Sequence, residues 1–214
     1  MELITIIVAR SVWLFNILDL NPKGRALEDV TKWLAAAYSF QKFPLTPNDL
    51  HPEKKGLVFT GGKFKSGDEY VTVDLDIYND GVVVNGRSST DDNDRFIDEI
   101  LRGCVEHFGL VYPKIGRKIY YSEMDVRISR PMTLLNPSLE HLANRLTELK
   151  GDSPAFFGFA GISFLPSPPA QPTTPGFLLE RKVNTDFSEN RYYTRAPLQT
   201  NAHLEFIREI EAAL

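Results

Sequence analysis

The chain has 214 residues, 43% of them hydrophobic and 24% charged, with a formal net charge of −4. That composition suits a single domain with an ordinary core and excludes a low-complexity or disordered chain. The mildly acidic balance, 24 Lys and Arg against 28 Asp and Glu, disfavours a surface built to wrap a phosphate backbone.

Residues 3–19 are rich in Ile, Val, Trp and Phe without a helical period, and read as one long strand bent near Ala9 to Ser11. This run is read as neither signal nor anchor. No basic region precedes it, Arg10 interrupts it, no small-residue cleavage site follows, and it is too short to span a bilayer. Asn21-Pro22-Lys23-Gly24 breaks the chain before a helix over 25–40, whose apolar stripe is Leu27, Val30, Trp33, Leu34, Ala37 and Tyr38. Residues 44–56, with Pro44, Pro47 and Pro52, form a loop. A strand over 57–65, bulged at Gly61-Gly62, turns at Ser66-Gly67-Asp68 into a strand over 69–78 with clear alternation.

Asp80-Gly81 is the strongest hairpin signal, followed by a short strand over 81–84. Ser89 or Thr90 caps a helix over 91–108, where Asp91, Asp92 and Asp94 suit the positive end of the helix dipole. Its stripe is Ile97, Ile100, Leu101, Cys104, Val105 and Phe108, and Gly109 ends it. Residues 118–129 form a strand. A helix over 137–150 follows, with Leu139, Leu142, Ala143, Leu146 and Leu149 as its buried stripe. Residues 155–165 are a further strand, and the half-proline stretch 166–175 a loop. After a strand over 177–184 and an irregular segment over 186–199, Thr200 caps a last helix over 201–214, with Leu204, Ile207 and Ile210 inward.

The resulting order is β-α-β-β-α-β-α-β-β-α. It predicts an α+β fold: an antiparallel or mixed sheet with helices packed mainly on one face. The first six elements match the split βαββαβ arrangement of a ferredoxin-like unit. The chain is expected to be one domain, with 1–130 and 131–214 as sub-units. No internal sequence repeat supports a duplication.

Three groups of residues can carry function. Asp74 and Asp76 share one strand face, and Glu123 and Asp125 share another beside Arg127. If those strands neighbour each other, four carboxylates could bind a divalent metal for phosphoryl chemistry; an ordinary solvated sheet face, balanced by Arg127 and Lys182, is the favoured explanation. Arg87, Ser88 and Ser89 precede a helix N-terminus, which can hold an anion, although capping accounts for the hydroxyls and the nearby aspartates would repel phosphate. Arg191, Tyr192, Tyr193 and Arg195 lie in the irregular segment, and their types dominate contact hot spots and stack on bases.

No nucleophile elbow, phosphate loop or paired-cysteine zinc site occurs, and His51, His107, His141 and His203 stand far apart. The single cysteine, Cys104, excludes an intrachain disulfide and fits a reducing, cytoplasmic setting. The preferred reading is a non-catalytic subunit or adaptor that requires no cofactor and works through a protein partner or as a homo-oligomer. The alternatives are a metal-dependent phosphoesterase or nuclease built on the strand carboxylates, and an RNA-binding or RNA-processing module, which the net charge disfavours.

Overall fold

A computed structural model describes residues 1–24, 28–45, 56–150, 157–167 and 175–214. The start of the first predicted helix, most of the loops at 44–56 and 166–175, the first residues of the strand predicted from 155, and His51 lie outside the described residues.

The elements are β1 (Glu2–Leu14), α1 (Glu28–Ala37), β2 (Leu57–Ser66), β3 (Glu69–Tyr78), β4 (Gly81–Gly86), α2 (Thr90–Phe108), β5 (Arg117–Arg127), α3 (Pro137–Leu149), β6 (Gly161–Phe164), β7 (Phe177–Arg181), β8 (Arg191–Ala196) and α4 (Thr200–Ala212). The fold is α+β with an eight-stranded sheet in the order β2-β3-β4-β1-β5-β8-β7-β6. The pairings β1–β4, β2–β3, β3–β4, β6–β7 and β7–β8 are antiparallel. Among the described residues, no helix is long and apolar enough to cross a membrane.

Two differences from the expected order matter. Among the described residues three strands stand between α1 and α2, the short strand after Asp80-Gly81 being an element of its own where the expected order counts two, so the ferredoxin-like βαββαβ arrangement is not confirmed. The segment read as irregular contains β8, in which Tyr192, Thr194 and Ala196 are buried and alternate with Arg191, Tyr193 and Arg195. Among the described residues the element order is therefore β-α-β-β-β-α twice over. β1 also ends sooner than predicted, because the Asn16 side chain accepts the Leu18 N–H at 3.0 Å and starts a 3-10 turn at Ile17.

By contacts the chain divides into two compact units. One comprises residues 8–122 and 198–200. Alternation on β3 sends Val73 and Leu75 inward, each 0% exposed, into a core with Phe59 and Phe64 from β2, Leu34 from α1, Tyr38 just past its end, and Phe96 and Ile97 from α2. Ser89 caps α2 by accepting the Asp92 N–H at 3.0 Å, and Gly109, with φ 59°, ends it in a left-handed turn. The Asn93 carboxamide, inside the core, donates to the Ala9 carbonyl at 2.8 Å and to the Val84 carbonyl at 3.3 Å. Thr90 and Thr200, both in this unit, exchange backbone-to-hydroxyl hydrogen bonds at 3.0 and 2.9 Å.

The other unit comprises residues 1–7, 123–197 and 201–214. Met124, Val126, Leu179, Tyr192 and Ile207 are fully buried in it. α4 packs through His203, Ile207 and Ile210, whereas Leu204 is only half-buried. The Thr194 hydroxyl donates to the Leu178 carbonyl at 2.8 Å and lies 2.8 Å from His203 Nε2. A hydroxyl has one proton to give, so it accepts from an Nε2–H and the ring is the neutral Nε2 tautomer. Burial lowers the His203 pKa from 6.5 to about 4. The folded state therefore refuses a proton that the unfolded chain accepts. Its contribution to stability is complete above pH 6.5 and is lost as the pH falls toward 4, at up to about 1.4 kcal/mol per pH unit. Urea unfolding at pH 7 and pH 5 is expected to show this loss in the parent chain and a smaller one in His203→Gln; equal losses would exclude His203 as the source.

Candidate functional site

β3 carries Asp74 and Asp76 on the strand face opposite buried Val73 and Leu75. Asp74 has a local duty. Its carboxylate accepts the N–H of Gly61 at 2.7 Å, at the bulge where the β2–β3 register shifts between Phe59 and Gly62. Gly61 sits at φ 70°, a conformation that glycine adopts without strain. Asp76 is half-buried, and burial first, then the charge of Asp74, raises its pKa, with Arg10 opposing. Glu123 and Asp125 belong to the other unit. There Asp125, 4% exposed, is bound by Lys182 Nζ at 2.9 Å with Arg191 at 3.7 Å. Among the described residues, no group of three or more His, Cys, Asp or Glu side chains is placed to hold a metal ion.

At the start of α2, Ser89 is the cap, and its hydroxyl also donates to Asp92 at 2.9 Å. Asp92 further accepts from the Ser66 hydroxyl at 2.5 Å and pairs with Arg95, with the Ser88 hydroxyl buried alongside. Burial pushes this carboxyl up, but the hydrogen bonds outweigh it and hold it below the usual range. A carboxylate already fills the position that an anion would take, and Arg87 points to solvent as an exposed residue.

β8 separates the four residues of the Arg/Tyr segment by face. Tyr192 is 0% exposed beneath the helical layer of its unit, while Arg191, Tyr193 and Arg195 share the opposite side. Arg191 leans toward Asp125 and Arg195 is exposed.

One cleft was not singled out by sequence reasoning. It holds about 870 Å³ along α2, between Trp13, Trp33, Tyr38 and Tyr112. Asp94 is its hub. It accepts the Trp13 indole N–H at 2.9 Å and the Tyr120 hydroxyl at 2.7 Å, and Lys118 stands 3.6 Å away over the Trp13 ring. Asp94 therefore ties β1 and β5 to α2 in addition to any effect on the helix dipole. Tyr38 donates to Glu99 at 2.9 Å, and Tyr112 donates to Asp98 at 2.8 Å beside Arg102 at 2.6 Å. Burial and these carboxylates raise the Tyr112 and Tyr120 pKa values to about 12, so both remain protonated donors near neutrality. Burial likewise raises the Cys104 thiol to about 11, which leaves it unreactive as a nucleophile. Asp94, Asp98 and Glu99 are thus engaged by neighbouring side chains, which brace one wall of the cleft. The signal in the sequence was Asp94, Asp98 and Arg102, four residues apart on one side of a helix.

The second surface is α3. Its half-buried side is Leu139, Ala143 and Thr147, the last accepting the Phe157 N–H at 2.9 Å. Leu142, Leu146 and Leu149 are 60%, 48% and 66% exposed, and no residue of the helix is buried. Of the stripe expected to face the core, Leu139 and Ala143 are half-buried, whereas Leu142, Leu146 and Leu149 face outward.

Because Asp76 holds its proton more tightly in the folded state, its contribution is present at low pH and lost as the pH rises through the raised value. Asp76→Asn is expected to raise the urea midpoint at pH 7, with the gain vanishing toward pH 3; a lower midpoint at pH 7 would mean that the charge is stabilising.

No family model matches the chain, and no curated protein matches it. Among solved structures, it is similar to a chain described as Methanococcus jannaschii TBP, at 14% identity over 100% of this chain and 98% of that one, with a TM-score of 0.44; at that level nothing of that protein's function carries over.

Proposed function

We propose that the protein is a non-catalytic subunit or adaptor that binds another protein through α3. One observation carries this reading: a helix with three of its leucines, Leu142, Leu146 and Leu149, about half exposed or more. Isolated exposed leucines are ordinary, but a stripe on one helix marks a contact surface. The counterpart in the element order sharpens the point. α1 buries Leu34 to 2% and Tyr38, just past its end, to 7%. α3 follows β5 as α1 follows β1, yet it buries nothing. Two buried leucines contribute roughly 1.5–3 kcal/mol each, which a partner would recover. The braced cleft on α2 fits the same reading, since its tyrosines act only as donors. The protein purified from its native host is expected to self-associate or carry another chain, as measured by light scattering. Leu142→Glu with Leu146→Glu should release that chain while leaving the melting temperature nearly unchanged, because surface changes usually fall within about 0.5 kcal/mol. A parent protein that is a clean monomer with no companion would overturn the proposal.

A second reading, binding of single-stranded nucleic acid, is favoured by β8, which sets Arg191, Tyr193 and Arg195 on one strand face. Such a face can follow a backbone with its cations and stack a base on its tyrosine. Labelled single-stranded RNA is expected to bind at low salt, with affinity falling steeply as salt rises and falling further in Arg195→Glu. No change in anisotropy at low salt would exclude it.

A further inference from the structure

We infer that the unit containing α2 has a binding site for a small aliphatic group, about three or four carbons long. The site is an apolar cavity of about 90 Å³, lined by the 3-10 turn at Ile17–Leu20, by α1 and α2, and by β2, β3 and β4. Its floor is made by Leu34, Leu57, Val82, Ile100, Leu101 and Cys104, all of them buried. Ile17, Val30 and Ile77 also line it but are only partly buried, so the cavity reaches the surface on their side.

The lining selects the chemistry of the occupant. None of the described lining residues is charged, so an ionised group entering the cavity would lose its hydration without meeting a counter-ion. Asn21 and Thr31 are its polar members, and Cys104 adds a thiol that donates only weakly. A bound water needs about two to four polar partners. The floor offers leucine, isoleucine and valine side chains instead, which carbon fills and water does not.

The volume selects the size. Protein interiors leave few voids larger than a water molecule, and 90 Å³ equals about three water volumes in the liquid. An apolar cavity of about 150 Å³ holds benzene. One of 90 Å³ is too small for that ring and accommodates a short chain. The remainder of a longer ligand, with any polar head, stays in solvent beyond Ile17, Val30 and Ile77.

The full chain is titrated with straight-chain alcohols from ethanol to octanol, and the methyl NMR signals of its leucines and isoleucines are followed. Saturable shifts are expected at Ile77, Ile100 and Leu101. Affinity should rise about fourfold with each added carbon as far as butanol and then level off, because further carbons remain in water. Cys104→Leu narrows the cavity, and Val82→Leu does the same should the first variant not fold. In either variant butanol should bind about fourfold more weakly or worse, with levelling at a shorter chain. Affinity that keeps climbing through octanol would place the alcohols on an open surface and overturn the site. So would butanol affinity unchanged in a folded variant, or the absence of saturable shifts with every alcohol.

Discussion

The unit that contains α2 depends on a single buried carboxamide. Asn93 is 0% exposed and donates to the carbonyls of Ala9 on β1 and Val84 on β4. A polar group that deep costs several kcal/mol if unpaired, so the helix has a defined position along these paired strands. Gly86 makes room for it, since a Cβ there would stand 2.8 Å from Asn93 Oδ1. Once α2 is held by Asn93, Phe96 falls between Tyr38 and Phe64, with ring centroids 4.9 and 5.4 Å away. On the other side of the helix, Asp94 meets Trp13 and Tyr120. Core and cleft are two faces of the same constraint.

Among the described residues the order β-α-β-β-β-α occurs twice, and its two occurrences are buried differently. In the first, Trp33 of α1 packs so closely on α2 that Gly103 has no space for a side chain. In the second, α3 keeps a leucine seam at the surface. The same order of elements thus carries different burial in its two occurrences. The same divergence explains why no repeat is visible in the sequence: the positions that would match do different work.

The candidate carboxylates show where residue-by-residue reasoning stops. Asp74 reads from the sequence as one of a carboxylate pair on a strand face, but the bulge at Gly61 gives it a local role through an N–H 13 positions earlier. Asp92 does serve the start of α2, as its position near the cap implied. Asp94, two residues on, spends its carboxylate on side chains from β1 and β5 instead. Neighbouring aspartates of one helix turn point in directions about 100° apart per residue, and only the surrounding strands decide what each one meets. The Arg/Tyr segment was legible in principle, because Tyr192, Thr194 and Ala196 alternate with Arg191, Tyr193 and Arg195. Its polarity hid a half-buried strand.

By itself the sequence determined the α+β class, the positions of the helices, the cap at Ser89 and the stop at Gly109. Each of these follows from periodicity or turn chemistry within a few residues. It also placed the alternation of β3 and the hairpin at Asp80-Gly81. Tertiary structure alone decided that His203 rather than Leu204 is buried in α4, and that Leu142, Leu146 and Leu149 of α3 remain outside. The helical period specifies that these leucines lie on one face. It carries no information about what covers that face, because burial is set by the elements arriving from elsewhere in the chain, or from another chain.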